Sequence, residues 1–386
     1  MFEPGIAKLF AQRPQSSKLR VAAVTNYTGR DRQGRHLAEL LAGHSAFDLI
    51  KIFTPEHGFC SDAPDGEPVA DSHHPELSVP VISLYGPNKK PSARMLKDLD
   101  VLIYDIQDVG VRFYTYISSL RNIMDAADEQ GLAVWILDRP DVLGGIEVEG
   151  PLLDDNFSSF VGHLPVPVRY GLTPGELALW WKDHASLKLE LRIFRCQDYV
   201  CSNTTPYPDF PWYQPSPSMP DTDTAQFYPG TCIFEGTQLS EGRGTDMPFR
   251  KIGAPWVDAK KWLTALNDVL PADICASCCS FKPTFSKYAE EVCNGIQLQS
   301  KKSIVKNAFL IGVSLIYSLM QTHPGQVEFT RRPGLTHPFF DYLCGTDQIR
   351  LGLLQNLKPV EALKATTDST RQFKEKREKF FLYDRK

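Results

Sequence analysis

Several carboxylates in this chain stand beside residues suited to acid–base chemistry. Glu56 is the sharpest. It lies in Thr54-Pro55-Glu56-His57-Gly58, directly after the apolar run Phe47–Phe53. A carboxyl at the mouth of a sheet, backed by apolar side chains, is placed as a general acid; the plainer alternative is a turn cap or an ion pair. His57 can serve as a ligand, as a hydrogen-bond donor to substrate, or as an orienter of Glu56. With His73 and His74 a metal site can be drawn, but the intervening SDAPDGEPVADSHHPE reads more simply as a solvated loop. Asp105 and Asp108 flank Gln107, and two carboxylates at that spacing can perturb each other or hold sugar hydroxyls. Alternatively, Asp108 caps the next helix and Asp105 is a structural acceptor. Asp138-Arg139-Pro140 offers a guanidinium that can clamp a carboxylate bidentately, or one that bridges neighbouring elements. In Ser240-Glu241-Gly242-Arg243-Gly244-Thr245, glycines bracket an Arg beside a Glu, which suits a loop approaching a ligand or a surface turn. Cys275, Cys278 and Cys279 form a C-x-x-C-C cluster followed by Cys293, but no second close pair completes a zinc set, so they read as thiols. No G-x-S-x-G elbow occurs, which argues against a nucleophilic serine.

These residues sit at the ends of predicted strands. The organising stretch is Asp100–Tyr116, DVLIYDIQDVGVRFYTY. Val101–Tyr104 reads as a strand buried on both faces. A helical apolar pattern follows at Phe113, Ile117, Leu120, Met124 and Ala127, with Arg112, Tyr114 and Tyr116 at its start. Strands are also predicted over Leu19–Val24 (ending at Thr25 and Asn26), Phe47–Phe53, Val79–Leu84 and Leu132–Leu137. Helices are predicted around His36–Ala42, Ser92–Leu99 and Tyr114–Gln130. This alternation argues for an α/β fold with a doubly wound parallel sheet, whose ligands bind outside the carboxyl ends of the strands. No G-x-G-x-x-G follows the first strand and no Walker motif occurs, so neither a dinucleotide nor an NTP is expected, and no cofactor is assigned. From about Gly150 the alternation is lost. Thr173-Pro174-Gly175-Glu176 reads as a helix start with Thr173 as N-cap. Pro206–Pro220 holds six prolines and excludes regular structure. Helices are predicted over Trp256–Leu270 and Asn307–Met320, and a charged helix over Asp368–Lys386, with Phe380–Tyr383 packing back on the body. The predicted division is a Rossmann-like domain over 1–155 and an α+β domain over 156–386.

Composition narrows the partners. The chain has 386 residues and a formal net charge of -4, and no long basic block outside the C-terminal tail, so nucleic acid is not expected. The longest apolar stretch, Ala308–Met320, is too short to cross a bilayer, so no membrane partner is expected. The N-terminus shows no secretory signal, and nine scattered cysteines fit reduced thiols, so a cytoplasmic protein is expected. The sequence carries no signal for an oligomeric state.

The motifs TPEHGF (54–59), SLYG (83–86), DIQDVGVRFYTYISS (105–119), LDRP (137–140), PSPSMP (215–220), YPGTCIFEGT (228–237), LSEGRGTDMPF (239–249) and GAPW (253–256) resemble one family along nearly the whole chain. It was formerly a domain-of-unknown-function family, and its characterised members are exo-β-N-acetylmuramidases. The resemblance implies an active site in a cleft between a Rossmann-like domain and a second domain. It implies hydrolysis of a terminal β-linked N-acetylmuramic acid (MurNAc), a small saccharide substrate, with Glu56 as the catalytic acid. On this reading Asp105, Asp108 or Glu241 assists, Arg139 or Arg243 grips the lactyl carboxylate, and Asn26, His57, Arg112, Tyr114, Tyr116 and Asp138 complete the pocket. A non-catalytic muropeptide sensor on the same fold is the alternative. Three positions depart from the family pattern: Ser218 stands where Asn is usual, Asp141-Val142 where Asn-Pro follows D-R-P, and Gln299 where His is usual.

Overall fold

The computed structural model describes residues 1–11, 17–202, 210–266 and 269–386. Its strands are β1 (Leu19–Thr25), β2 (Phe47–Thr54), β3 (Ser72–His73), β4 (Pro80–Ser83), β5 (Val101–Asp105), β6 (Ala133–Leu137), β7 (Glu149–Leu152), β8 (Pro167–Arg169), β9 (Leu191–Phe194), β10 (Lys251–Ala254), β11 (Ile274–Phe281) and β12 (Cys293–Ser300). The helices that matter here are α1 (Gly5–Phe10), α2 (Leu37–Gly43), α3 (Ala93–Leu96), α4 (Tyr116–Gln130), α5 (Pro174–His184), α6 (Thr222–Thr231), α7 (Ala259–Leu266) and α8 (Ala308–Thr322).

Among the described residues, seven strands form one sheet in the order β3-β4-β2-β1-β5-β6-β9, parallel except for β3 against β4. Alternate residues serve opposite faces. Val21, Ala23, Val101 and Ile103 pack with Ile6 and Leu9 of α1 and Leu37 and Leu41 of α2. Ala22, Val24, Leu102 and Tyr104 pack against Ile117 and Leu120 of α4 and Leu177 of α5. That second cluster continues without a break to Ile296 on β12 and Leu315 on α8, so the two halves share a core. The chain order reverses between β1 and β5, and their ends are level, with Thr25 opposite Asp105. Thr54 is likewise level with Ser83. The polar residues that follow these strands therefore emerge on one edge, at the switch point of a doubly wound sheet.

The five predicted strands and the first three helices are present within a few residues. Thr173 caps α5: its hydroxyl accepts the Glu176 N–H at 3.2 Å, and the Glu176 carboxylate accepts the Thr173 N–H at 3.0 Å. Other expectations shift. β9 returns to the first sheet beside β6, so the chain beyond residue 155 still contributes a strand there, and the predicted boundary falls inside that structural unit. The rest of the second half is a three-stranded antiparallel sheet, β10-β12-β11, and the pair β7-β8, with α6 packed on α8. Of the proline-rich stretch, 206–209 lies outside the described residues, and 210–220 holds neither helix nor strand. The C-terminal helix, Thr367–Lys376, is shorter than predicted. After a 3-10 turn the chain leaves the helix because it finds tertiary partners: the Leu382 N–H donates to Glu176 at 2.8 Å, and the Tyr383 hydroxyl to Asp138 at 2.6 Å.

Candidate active site

The sheet edge opens onto a cavity of about 350 Å³. Glu56 enters it from the turn after β2. That turn is strained: His57 holds φ 70° and Gly58 φ 74°, a region non-glycine residues rarely occupy. The following loop then folds back on its own root. The His57 Nδ1 pairs with the Ala63 carbonyl at 2.8 Å, and the Gly66 N–H donates to Glu56 Oε1 at 3.0 Å. The other carboxyl oxygen accepts the hydroxyl of Thr115, the residue before α4, at 2.6 Å. Both oxygens are thus anchored, one by the loop and one by the organising segment, and Glu56 keeps only 8% of its surface exposed. The Tyr85 hydroxyl, from the end of β4, lies beside it, and burial with the Glu56 charge pushes that phenol well up.

Aromatic faces and ions complete the lining. Phe113, Tyr114, Phe160, Tyr228, Phe249 and Phe339 supply apolar surface, and Asp65, Lys89, Glu235, Arg243 and Arg332 supply charge. Arg243 is the hub of the ionic wall. It pairs with Asp65, with Glu235 at 2.7 Å and with Glu241 at 3.5 Å, and its guanidinium lies 4.7 Å from the Phe249 ring centroid. Burial opposes the charge on Glu235, but Arg243 and Arg332 beside it hold the carboxyl well below its usual range. Gly242 and Gly244, at φ 80° and 77°, let the Arg243 loop pass close to neighbouring backbone: a Cβ on Gly244 would lie 2.7 Å from the Phe285 nitrogen. A second cavity, of about 590 Å³, shares Asp65, Glu235, Arg243 and Arg332 with the first.

Of the residues singled out in the sequence, Glu56, His57, Tyr114 and Arg243 line the first cavity, and Glu241 lines the second. The others lie off both. Asp105 and Arg139 are consumed by each other in a bidentate pair of 2.6 and 2.8 Å, at 0% and 1% exposure, so neither is free for substrate. Asp108 accepts the Tyr170 hydroxyl and the Gly110 N–H, and burial pushes it up to about 7. It caps no helix, since α4 begins eight residues later at Tyr116. Asp138 is buried under the Thr173 hydroxyl at 2.8 Å, the Gly175 N–H at 2.7 Å and the Tyr383 hydroxyl. Arg112 donates to the carbonyls of Pro151, Val166 and Leu343 and ties the two halves together. Tyr116 donates to the Pro215 carbonyl, and the Asn26 side chain accepts from Thr28, both buried. Glu241 sits behind Arg243 and receives Lys287 at 3.1 Å. Asp65, Tyr85, Lys89, Thr115, Glu235 and Arg332 were not singled out. Tyr85, Thr115 and Glu235 lie within quoted motifs and Asp65 within the quoted loop, whereas Arg332 has only a Pro-Gly turn after it as a signal.

The three departures fall differently. Ser218 donates to Asp65 at 3.2 Å and so touches the ionic wall. Asp141 accepts the Leu143 N–H within a buried turn. Gln299 is exposed on β12 opposite Cys275 and lines neither cavity. The Cys275–Cys279 cluster lies along β11, with Cys293 paired across to Phe281, and among the described residues no three His, Cys, Asp or Glu are grouped to hold a metal.

A doubly wound sheet with a carboxyl-bearing, aromatic-lined cavity beyond the carboxyl ends of its strands has the make-up of a small-ligand site, and that lining suits a sugar ring. The particular family follows from comparison with known proteins. The N-terminal model of the exo-beta-N-acetylmuramidase NamZ family matches residues 21–223, and its C-terminal model matches residues 226–383. The chain belongs to this family. It is 35% identical over 364 residues to the peptidoglycan beta-N-acetylmuramidase NamZ of Bacillus subtilis (strain 168), covering 94% of this chain and 87% of that protein. It is also similar to two crystal structures of DUF1343 family proteins from Bacteroides fragilis NCTC 9343, each 30% identical. One has a TM-score of 0.87 with 99% of both chains covered, the other 0.78 with 100% of both.

Proposed function

We propose that this protein is an exo-β-N-acetylmuramidase, a glycoside hydrolase that removes β-linked MurNAc from the non-reducing end of peptidoglycan fragments. The observation that carries the site assignment is Glu56: a carboxyl on the cavity with both oxygens anchored, among aromatic faces that suit a sugar ring. The cavity of about 350 Å³ is within the range of small-molecule sites, about 300–1,000 Å³, and its neighbour leaves room for the departing saccharide. Glu56 gives its proton to the glycosidic oxygen as the C1–O bond breaks, and water supplies the new hydroxyl at C1. Asp65 and Glu235, which share the cavity, replace Asp105, Asp108 and Glu241 as the carboxylates that assist. The substrate's own 2-acetamido group is the other candidate nucleophile.

The test is turnover of a chromogenic β-MurNAc glycoside by wild type and by Glu56→Gln. Wild type releases the chromophore, and the variant loses about 10²- to 10⁴-fold, the usual contribution of a positioned acid. Retained binding without release by wild type would favour the sensor reading. Release that survives Glu56→Gln would mean that another group supplies the proton. Action on fragments inside the cytoplasm is the reading that the odd number of scattered cysteines, nine, favours. No described helix is long and apolar enough to cross a membrane.

A further inference from the structure

The lactyl carboxylate that distinguishes MurNAc from N-acetylglucosamine needs a cation with donors to spare. Three cations line the cavity: Lys89, Arg243 and Arg332. Arg243 is already neutralised, since every nitrogen of its guanidinium faces a carboxylate. Its Nη1, Nη2 and Nε face Asp65, Glu235 and Glu241 in turn, Phe249 covers one face, and its side chain is 12% exposed. Arg332 is the opposite case. Among the described residues only its Nη2 is engaged, by Glu235 at 3.0 Å, and half of the side chain is open. Its guanidinium carbon lies 3.4 Å from the Phe339 ring centroid, so a carboxylate on one edge and a ring on one face hold it still. A guanidinium fixed in this way loses little entropy on taking a second carboxylate. Arg332 and Glu56 line the same cavity, with Tyr85 also on its wall. Lys89 has no carboxylate partner among the described residues and rests, exposed, over the Phe160 ring at 4.6 Å.

We propose that Arg332, rather than Arg139 or Arg243, binds the lactyl carboxylate through its free Nε and Nη1 and sets the preference for MurNAc. This rests on the exo-muramidase reading. The test uses MurNAc and its lactyl methyl ester as competing ligands, measured by calorimetry and by inhibition of glycoside turnover, with Arg332→Gln, Arg332→Lys and Lys89→Ala. Wild type is expected to bind the acid about 10- to 100-fold better than the ester, the range for a hydrogen bond to a charged group. Arg332→Gln removes that preference while leaving ester binding unchanged, and the loss in turnover appears in KM more than in kcat. Arg332→Lys restores part of it, and Lys89→Ala keeps it. A preference that survives Arg332→Gln, or that is lost in Lys89→Ala instead, overturns the proposal, as does an equal loss for acid and ester. If wild type turns over no β-MurNAc glycoside, the hydrolase reading fails on its own. Calorimetry on acid and ester still judges Arg332.

Discussion

Two arginine–carboxylate pairs do different work here, and environment separates them. Arg139 holds both oxygens of Asp105 in the buried centre of the molecule. Removing one partner strands a buried charge, so Arg139→Met should cost about 3–5 kcal/mol of stability. Turnover per folded molecule should stay near the wild-type value. Denaturant titration together with active-site-normalised kinetics checks this, and a kinetic defect at full stability would return Arg139 to the site. Arg332 and Glu235 sit at an opening and leave donors unused. Thr115 has a third kind of role, since its hydroxyl fixes one oxygen of Glu56. Thr115→Val should lower kcat about tenfold with little change in melting temperature, because one anchoring hydrogen bond is lost while the fold keeps its volume.

Site geometry at the level of elements depends on short segments with unusual backbones. The loop from Ser240 to Thr245 carries Arg243, and Gly244 passes between backbone atoms that leave no room for a methyl group. Gly244→Ala combines a positive φ with a backbone clash and should cost about 1–3 kcal/mol. It should weaken turnover as well, since Arg243 pins Asp65 and Glu235. Thermal melts and kcat/KM should therefore fall together, and a variant with native kinetics would show that the ionic wall tolerates a displaced loop. Strands and caps in this region were legible because their signals are local. Val101–Asp105 is apolar at every position but the last, and Thr173-Pro174-Gly175-Glu176 contains both halves of its capping box. The end of the C-terminal helix was not legible. Its charged sequence continues a helical propensity that contacts with Glu176, Asp138 and Cys201 override.

The two halves of the whole molecule are held by shared apolar core and by buried polar ties, and some of those ties titrate. Asp108 sits in the shared core with its carboxyl raised by burial to about 7 and one oxygen without a partner. An Asp whose folded value lies above its unfolded value of about 3.9 binds its proton more tightly when folded. Its contribution therefore weakens stability as pH rises from about 4 to 7 and is constant above. Relative to Asp108→Asn, wild type should lose stability across that window, by a few kcal/mol at most, since one pKa unit is about 1.4 kcal/mol. Urea midpoints for both proteins from pH 4 to 8 test this, and a gap that widens in favour of wild type would reverse the assignment.

The sequence by itself determined where β1, β2, β4, β5 and β6 and the helices α2, α3 and α4 lie, that the sheet is doubly wound, and that Glu56 follows a strand at its ligand-binding edge. Those features rest on apolar periodicity, caps and turn residues within a few positions of one another. Only the tertiary structure decided which charges are spent and which remain available. Asp105 found Arg139 from 34 residues away, and Arg243 found Asp65 from 178 residues away. Glu235, Tyr85 and Arg332 reach the same cavity from separate stretches of chain. An ionisable side chain looks alike in sequence whether it ends buried against a partner or half open at a cleft. Its role is set by desolvation and by long-range pairing, and both exist only once the chain has closed on itself.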